Sequence, residues 1–317
     1  MPDLIMHHYF GRNVFKNMPD VVRNEITNLD LYDFATAGAD PFFFVKFLNF
    51  EKNAQSREFG GRMHREKTGL FLQALIENTK EEKELFSYLC GFITHYVLDS
   101  TMHPYIFYAT GVYNVNDANT KEYRGLHTKL ERAIDIYILK NYYTEKPYCF
   151  KIHRHILRLR KLPISLKEVV DKAYTIYDCD NGYEKVNEAI KYQRKFYRFI
   201  YDPIGLKHRF LTLLDNGKSS LDFRVLSYYG KEIKDIDILN SQGKKWCNPL
   251  DKSIVSNESL FALENKALEK ALDLIEKAFR YIFLDEAIDL TKHFLDISYL
   301  TGLDCDLGTN MQYFNNI

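Results

Sequence analysis

Helical periodicity runs through almost the whole chain and narrows the choice of fold more than any other feature. In "TKEEKELFSYLCGFITHYVLDSTMH", Phe86, Leu89, Cys90, Ile93, Val97 and Leu98 recur at the spacing of one helix face. Thr79 followed by Glu82 reads as a capping box that starts this helix, and Pro104 as its end or kink. "NTKEYRGLHTKLERAIDIYILKNYY" predicts a second long helix with Asn119 and Glu122 as its box. "SREFGGRMHREKTGLFLQALIENT" predicts a third, weakened by Gly60 and Gly61. "SLKEVVDKAY", "YEKVNEAIKYQRKFYRFIYD" and "NESLFALENKALEKALDLIEKAF" are further amphipathic segments. Strand-like alternation of any length is absent. The expected fold class is therefore all-α.

Residues 216–256 break the rhythm with Gly, Asn, Asp and Ser and read as a long irregular connection. Three parts follow: a helical domain over 1–215, the connection over 216–256, and a C-terminal helical segment over 257–317. That last segment either packs back on the same core or extends from it.

The charge balance is neutral, 43 Lys and Arg against 43 Asp and Glu, so there is no general argument for a nucleic-acid partner. The five cysteines are widely spaced with no CxxC pair, which suggests neither a thiolate zinc site nor a disulfide framework. "MPDLIMHHYFGRNVF" lacks a basic start followed by a clean apolar run, so no signal peptide is expected. No stretch approaches 18 uncharged apolar residues, so no membrane-spanning helix is expected. A soluble, cytoplasmic protein is the expectation.

One helix carries chemistry that an apolar core does not need. His95, Asp99 and His103 follow each other at intervals of four in "HYVLDSTMH". At 1.5 Å rise per residue, the two histidines lie about 12 Å apart along the axis, with Asp99 about 6 Å from each. They are too far apart to hold one ion, so this helix can help build two neighbouring metal positions. An aspartate among Val97, Leu98 and "CGFI" is costly unless it is paired or ligating. His127 and Glu131, one turn apart in "GLHTKLER", form a second pair that can grip one ion. Upstream lie His64 in "GGRMHREK", Asp40 in "AGADPFFF", and His7 with His8 in "MHHYFG". For each lone histidine the plain alternative is a satisfied core residue; for His127 and Glu131 it is an ordinary helix-surface pair. A ligand set of nitrogen and oxygen without thiolate suits Zn²⁺, with Mn²⁺ or Fe²⁺ next.

The pieces "MPDLIMHHYFG", "GADPFFF", "GGRMH", "HYVLDSTMHPY" and "HTKLE", in that order over residues 1–135, resemble the zinc-dependent phospholipase C family. Its helical fold is shared with fungal single-strand nucleases, and its members hydrolyse phosphodiester bonds with up to three zinc ions. The resemblance implies that His64, His95 and Asp99 hold a first ion, with Asp40 as ligand, base or both. It implies His103, His127 and Glu131 at a second. It implies that Asp99 bridges to a third ion shared with an N-terminal histidine, His7 in preference to His8. Two departures stand out. His103 follows Asp99 by only four residues, where secreted members have a longer gap, so the helix is expected to run straight through. Secreted members also bring a freed amino terminus to the third ion; here only the amine of Met1 or Pro2 is at hand.

The expected function is a metal-dependent phosphodiester hydrolase of phospholipase C type, with two or three zinc ions activating water. A nuclease or other phosphoesterase of the same fold, or a helical protein merely stapled by its ions, are the alternatives. The expected partners are a phosphodiester such as a phospholipid head group and a peripheral membrane surface, with nucleic acid left open. Phe42 to Phe44 read as core packing or an apolar lining, and "KIHRHILRLRKL" as a basic helical face that is either solvated or meets an anionic surface.

Overall fold

The computed structural model of the protein describes residues 3–144, 146–215, 222–228 and 237–315. Among them run the helices α1 (Leu4–Asn17), α2 (Asp20–Arg23), α3 (Leu29–Ala35), α4 (Phe50–Arg65), α5 (Thr68–Thr79) and α6 (Leu85–Thr110). These are followed by α7 (Leu126–Ile138), α8 (Ile152–His155), α9 (Lys167–Tyr174), α10 (Gly182–Ile200), α11 (Leu206–Leu214) and α12 (Leu260–Phe283). A two-residue hairpin, β1 (Trp246–Cys247) antiparallel to β2 (Val255–Ser256), is the one sheet among the described residues. The fold is all-α.

α6 organises the rest. Its sequence is apolar nearly all round, and such a helix has no face to offer water. Of its residues only Thr101, Phe107 and Tyr108 fall short of full burial. α1, α3, α5, α7 and α12 pack around it. Gly91 lets α3 approach so closely that a Cβ there would strike the Tyr32 carbonyl. The apolar core around α6 includes Phe10, Tyr32, Phe71, Phe92, Leu98 and Ile275. α6 also continues through Pro104 to Thr110, rather than ending there. Proline has no N–H, which leaves the Ser100 carbonyl without its helical donor. Gly302 of the C-terminal tail lies against that carbonyl in a left-handed conformation (φ 68°), where a side chain would collide.

Several boundaries differ from the sequence reading. Thr79 does not cap α6; it is the last residue of α5, and its hydroxyl donates back to the Leu75 carbonyl at 2.7 Å. α6 begins only at Leu85, and Glu82 accepts the Glu84 N–H at 3.1 Å instead of closing a box. The expected third helix splits into α4 and α5 at Glu66 and Lys67, with Lys67 left-handed (φ 51°). The break is not at the glycines. Gly60 lies inside α4, where a Cβ would sit 3.1 Å from that of Phe42, so its role is close packing. The second expected helix also breaks: residues Ala118–Tyr123 form a 3-10 turn capped by Asp117, and Gly125 (φ 75°) redirects the chain into α7. Only Ile152–His155 of the basic stretch is helical, so it presents no continuous helical face. Of 257–298, α12 is the single α-helix, capped by Ser259 accepting from Ala262 N–H at 3.2 Å; the tail beyond it is irregular with 3-10 turns. The irregular stretch 216–256 lies partly outside the described residues; within them it holds the hairpin and a 3-10 turn over Phe223–Leu226.

The interface between α1 and α12 encloses a carboxyl group. Burial raises Glu264 from its ordinary 4.5 to about 7, partly opposed by the Asn13 amide that donates to it at 3.3 Å. A carboxyl raised in the folded state favours folding fully below pH 4.5 and loses that contribution as pH climbs through about 7. Keeping it ionised in place costs on the order of 3 kcal/mol. Glu264→Gln is expected to raise the melting temperature at about pH 8 and to leave it nearly unchanged below about pH 4.5; thermal melts across that range check it.

Candidate metal centre

Five elements aim ligand-type side chains into one volume beside α6. α6 supplies His95, Asp99 and His103, one per turn along a single stripe. α1 supplies His7, α4 supplies His64, and α7 supplies His127 and Glu131. Asp40 opens the 3-10 turn Asp40–Phe44 between α3 and α4. All eight residues expected from the sequence converge here. The unbroken course of α6 through Asp99 and His103 is what the four-residue spacing predicts.

The residues fall into two adjoining groups. Ligand atoms of Asp40, His64, His95 and Asp99 all lie within 4.8 Å of one another, as do those of His103, His127 and Glu131. In the first group His64 Nε2 is 3.0 Å from Asp40 Oδ1 and 3.7 Å from Asp99 Oδ2, and His95 Nε2 is 3.4 Å from Asp99 Oδ2. His7 joins this group at its edge, with Nε2 3.1 Å from Asp99 Oδ1 and 3.9 Å from Asp40 Oδ2. In the second group Glu131 Oε1 is 2.8 Å from His127 Nε2 and 3.7 Å from His103 Nε2. Asp99 Oδ2 is also 3.6 Å from His103 Nδ1, so this one carboxylate touches both groups.

Neighbouring backbone sets which nitrogen faces inward. The Gly60 carbonyl takes the Nδ1 side of His64 at 2.7 Å, and the Tyr299 carbonyl takes that of His103 at 2.7 Å. Each bond leaves Nε2 turned toward the cluster. Burial lowers the proton affinity of His64, His95, His103 and His127, which favours the neutral imidazole that a metal requires. Burial pushes Asp40 well above the usual carboxylate range, and the Asp99 charge pushes it further. Burial would raise Asp99 too, yet His103, His95 and His7 together hold it well below.

The cluster is not satisfied by its own hydrogen bonds. Both ring nitrogens of His7 and His95, both carboxylate oxygens of Asp99, and Nε2 of His103 are buried without a hydrogen-bond partner. Each such atom costs about 1–3 kcal/mol, and more where charged. Divalent cations suit the inward-facing nitrogens and the carboxylate oxygens together, so the residues present fit a nitrogen and oxygen metal site.

Other sequence candidates lie elsewhere. His8 follows His7 by about 100° around α1. It turns away, with Nδ1 2.8 Å from the Tyr143 hydroxyl and Nε2 3.6 Å from Asp33. Arg12 and Arg158 bind Asp33 at 2.6 and 3.1 Å. Met1 and Pro2, whose amine is a donor to a third ion in the sequence reading, lie outside the described residues. None of the five cysteines belongs to either group.

Three supporting residues escaped the sequence reading. Asp135 stands one turn past Glu131, so the stripe on α7 extended further than was read. Its carboxylate accepts the N–H groups of Ile5 and Met6 at 3.0 and 2.8 Å, fixing the first turn of α1 just ahead of His7. Tyr299 packs its ring on His64 and His95, at 5.2 and 5.4 Å between centroids, and no local signal links it to residues so far away in sequence. Gly38 adopts φ 50°, and a Cβ there would strike the His95 ring.

An all-α fold holding a buried, two-part cage of His, Asp and Glu defines a helical protein with the side chains of a multinuclear metal site. Comparison by family gives the same answer: the family model of zinc-dependent phospholipase C matches residues 6–198. The chain belongs to the zinc-dependent phospholipase C family, and all eight cluster residues fall in the matched region. At family level it is a metal-dependent hydrolase. No curated protein and no solved structure matches the chain.

Gly38 supplies a test of the cage that leaves every ligand in place. An alanine there meets a left-handed backbone, worth about 1–2 kcal/mol, and also collides with His95. Gly38→Ala is expected to lower stability by at least that amount and to reduce metal retained after dialysis. Gly61→Ala, whose Cβ meets only the mobile end of Arg65, is the control expected to retain metal.

Proposed function

We propose that the protein is a zinc-dependent phosphodiester hydrolase of phospholipase C type. The observation that carries this reading is Asp99: one buried carboxylate, without hydrogen bonds, in reach of histidines from both ligand groups. His64, His95, Asp99 and Asp40 would hold one ion, His103, His127 and Glu131 another, and His7 with Asp99 a third. Bound zinc supplies Lewis acidity toward water and toward phosphoryl oxygens.

The chain's own groups divide the remaining work. Asp40 lies within the first group, its Oδ1 3.0 Å from His64 Nε2, where it would orient an attacking water or take its proton. Asp99 is held ionised by the histidines and acts as the common ligand. His127 is the most exposed of the eight, with its side chain 27% accessible, which gives the cage one edge open to a substrate. A structural site would have its coordination closed by four protein ligands; the second group offers three, His103, His127 and Glu131, which would leave a position for water or substrate and favours catalysis over a stapled core. A cytoplasmic setting belongs to the same proposal; the five cysteines are free, and no helix among the described residues is long and apolar enough to cross a membrane.

Elemental analysis is expected to find at least two zinc ions or similar metals per chain. Asp99→Ala is expected to lose metal from both groups. Asp40→Asn is expected to keep most metal while hydrolysis of a soluble phosphodiester falls roughly a hundredfold or more. Equal, small effects of both substitutions on metal content and rate would overturn these roles.

A further inference from the structure

α11 is a helix with no buried residue. Leu206, Phe210, Leu213 and Leu214 of α11 are exposed, Leu213 to 86%, as are Phe199 of α10 and Ile204 between the two helices. Single exposed apolar residues are ordinary on a soluble protein, but a continuous ridge of this kind marks a contact surface.

Beside the ridge stands an uncompensated cationic cluster. Lys151 and Arg154 at α8, and Arg194 and Arg198 of α10, surround His153; with burial, they lower its proton affinity. Carboxylates nearby are engaged elsewhere: Asp30 and Asp33 bind Arg158, and Glu188 binds Lys46. Among the described residues no carboxylate pairs with Lys151, Arg154, Arg194 or Arg198, and Nη1 of Arg194 is buried with no hydrogen-bond partner.

The two features are joined. Lys207 of α11 lies over the Phe199 ring at 4.8 Å and donates to the Tyr201 carbonyl at 3.4 Å. Lys151 lies over the Tyr201 ring at 6.0 Å. The end of α11 is tied to the segment that leads into α7. Asp215, directly after α11, is gripped by Arg124 at 2.8 and 3.1 Å, three residues before His127.

We propose that α11, with the cationic cluster of α8 and α10, is a docking face for an anionic lipid bilayer. The apolar ridge enters the boundary between headgroups and acyl chains, and the cations meet the lipid phosphates. This deepens the phospholipase reading by naming the surface on which the substrate is met; the docking itself stands on the face alone. A second copy of the chain is a poor occupant, because a face of one charge repels itself. Nucleic acid accounts for the cations but leaves a mainly aliphatic ridge unused.

The test is co-sedimentation of the full chain with vesicles of phosphatidylcholine alone, and of phosphatidylcholine with about a third phosphatidylserine. Binding is expected on the second and weaker on the first, falling as salt screens the cations. Arg154→Gln with Arg198→Gln is expected to weaken binding roughly fivefold per cation removed. Phe210→Ser with Leu213→Ser is expected to weaken it on both vesicles. Both double variants lie outside the cage and are expected to keep the melting temperature, the metal content and the rate on a soluble phosphodiester. Absence of wild-type binding to the serine-containing vesicles, or equal binding by the variants, would overturn docking. So would capture of a single-stranded oligonucleotide instead of vesicles, or a stable dimer broken by the serine variant. Vesicle binding without hydrolysis of the soluble diester would instead remove the hydrolase reading and leave docking intact.

Discussion

The Asp99 carboxylate is the constraint around which the protein is arranged. It sits with no solvent exposure in the middle of α6, a helix buried on every side. No hydrogen bond satisfies it. A lone charge in that position is prohibitively costly, and the surrounding histidines answer it from three helices. His7 lies 3.1 Å away, His95 3.4 Å, His103 3.6 Å and His64 3.7 Å. The inward-facing ring nitrogens and the carboxylate oxygens together suit cations held between them. The same arrangement that leaves these groups unsatisfied by one another makes the core a receptive metal site.

The cage depends on parts of the chain that carry no ligand. Asp135 of α7 holds the start of α1, so the helix bearing His7 is tied to the helix bearing Glu131. The C-terminal tail closes over α6 at Gly302, and its Tyr299 carbonyl orients His103 while its N–H donates to the His64 carbonyl at 2.8 Å. Asn248, in the loop after β1, holds the tail in turn by donating to the Thr301 carbonyl at 2.7 Å. Residues well beyond 198 therefore help shape the centre.

Inside and outside follow opposite rules. The interior around the candidate metal centre gathers polar groups in the least polar place available, around a helix whose remaining side chains are mostly apolar. α11 does the reverse and displays apolar side chains to solvent. Each departs from the usual partition of residues between core and surface, and each departure coincides with a place where chemistry or contact is required.

Sequence alone determined the helical class and which candidate ligands share a helix face. Period and spacing are local properties, so His95, Asp99 and His103 necessarily share one stripe of any helix that contains them, as His127 and Glu131 share another. Spacing alone leaves His7 and His8 equal and the resemblance prefers His7; the packing of α1 against α6 turns His7 inward and His8 toward Tyr143 and Asp33. Helix boundaries failed for the same reason. Thr79 and Glu82 satisfy a capping pattern, but the turn into α6 is set by where α5 must stop to pack. The glycines at 60 and 61 weaken the helical pattern, yet α4 runs through them, and the break at Lys67 carries no glycine. Tyr299, Asp135 and Gly38 act through contacts across long sequence separations, which no periodicity encodes. Tertiary structure decided these points because orientation of a side chain depends on which helices surround it, whereas spacing along one helix depends only on the backbone.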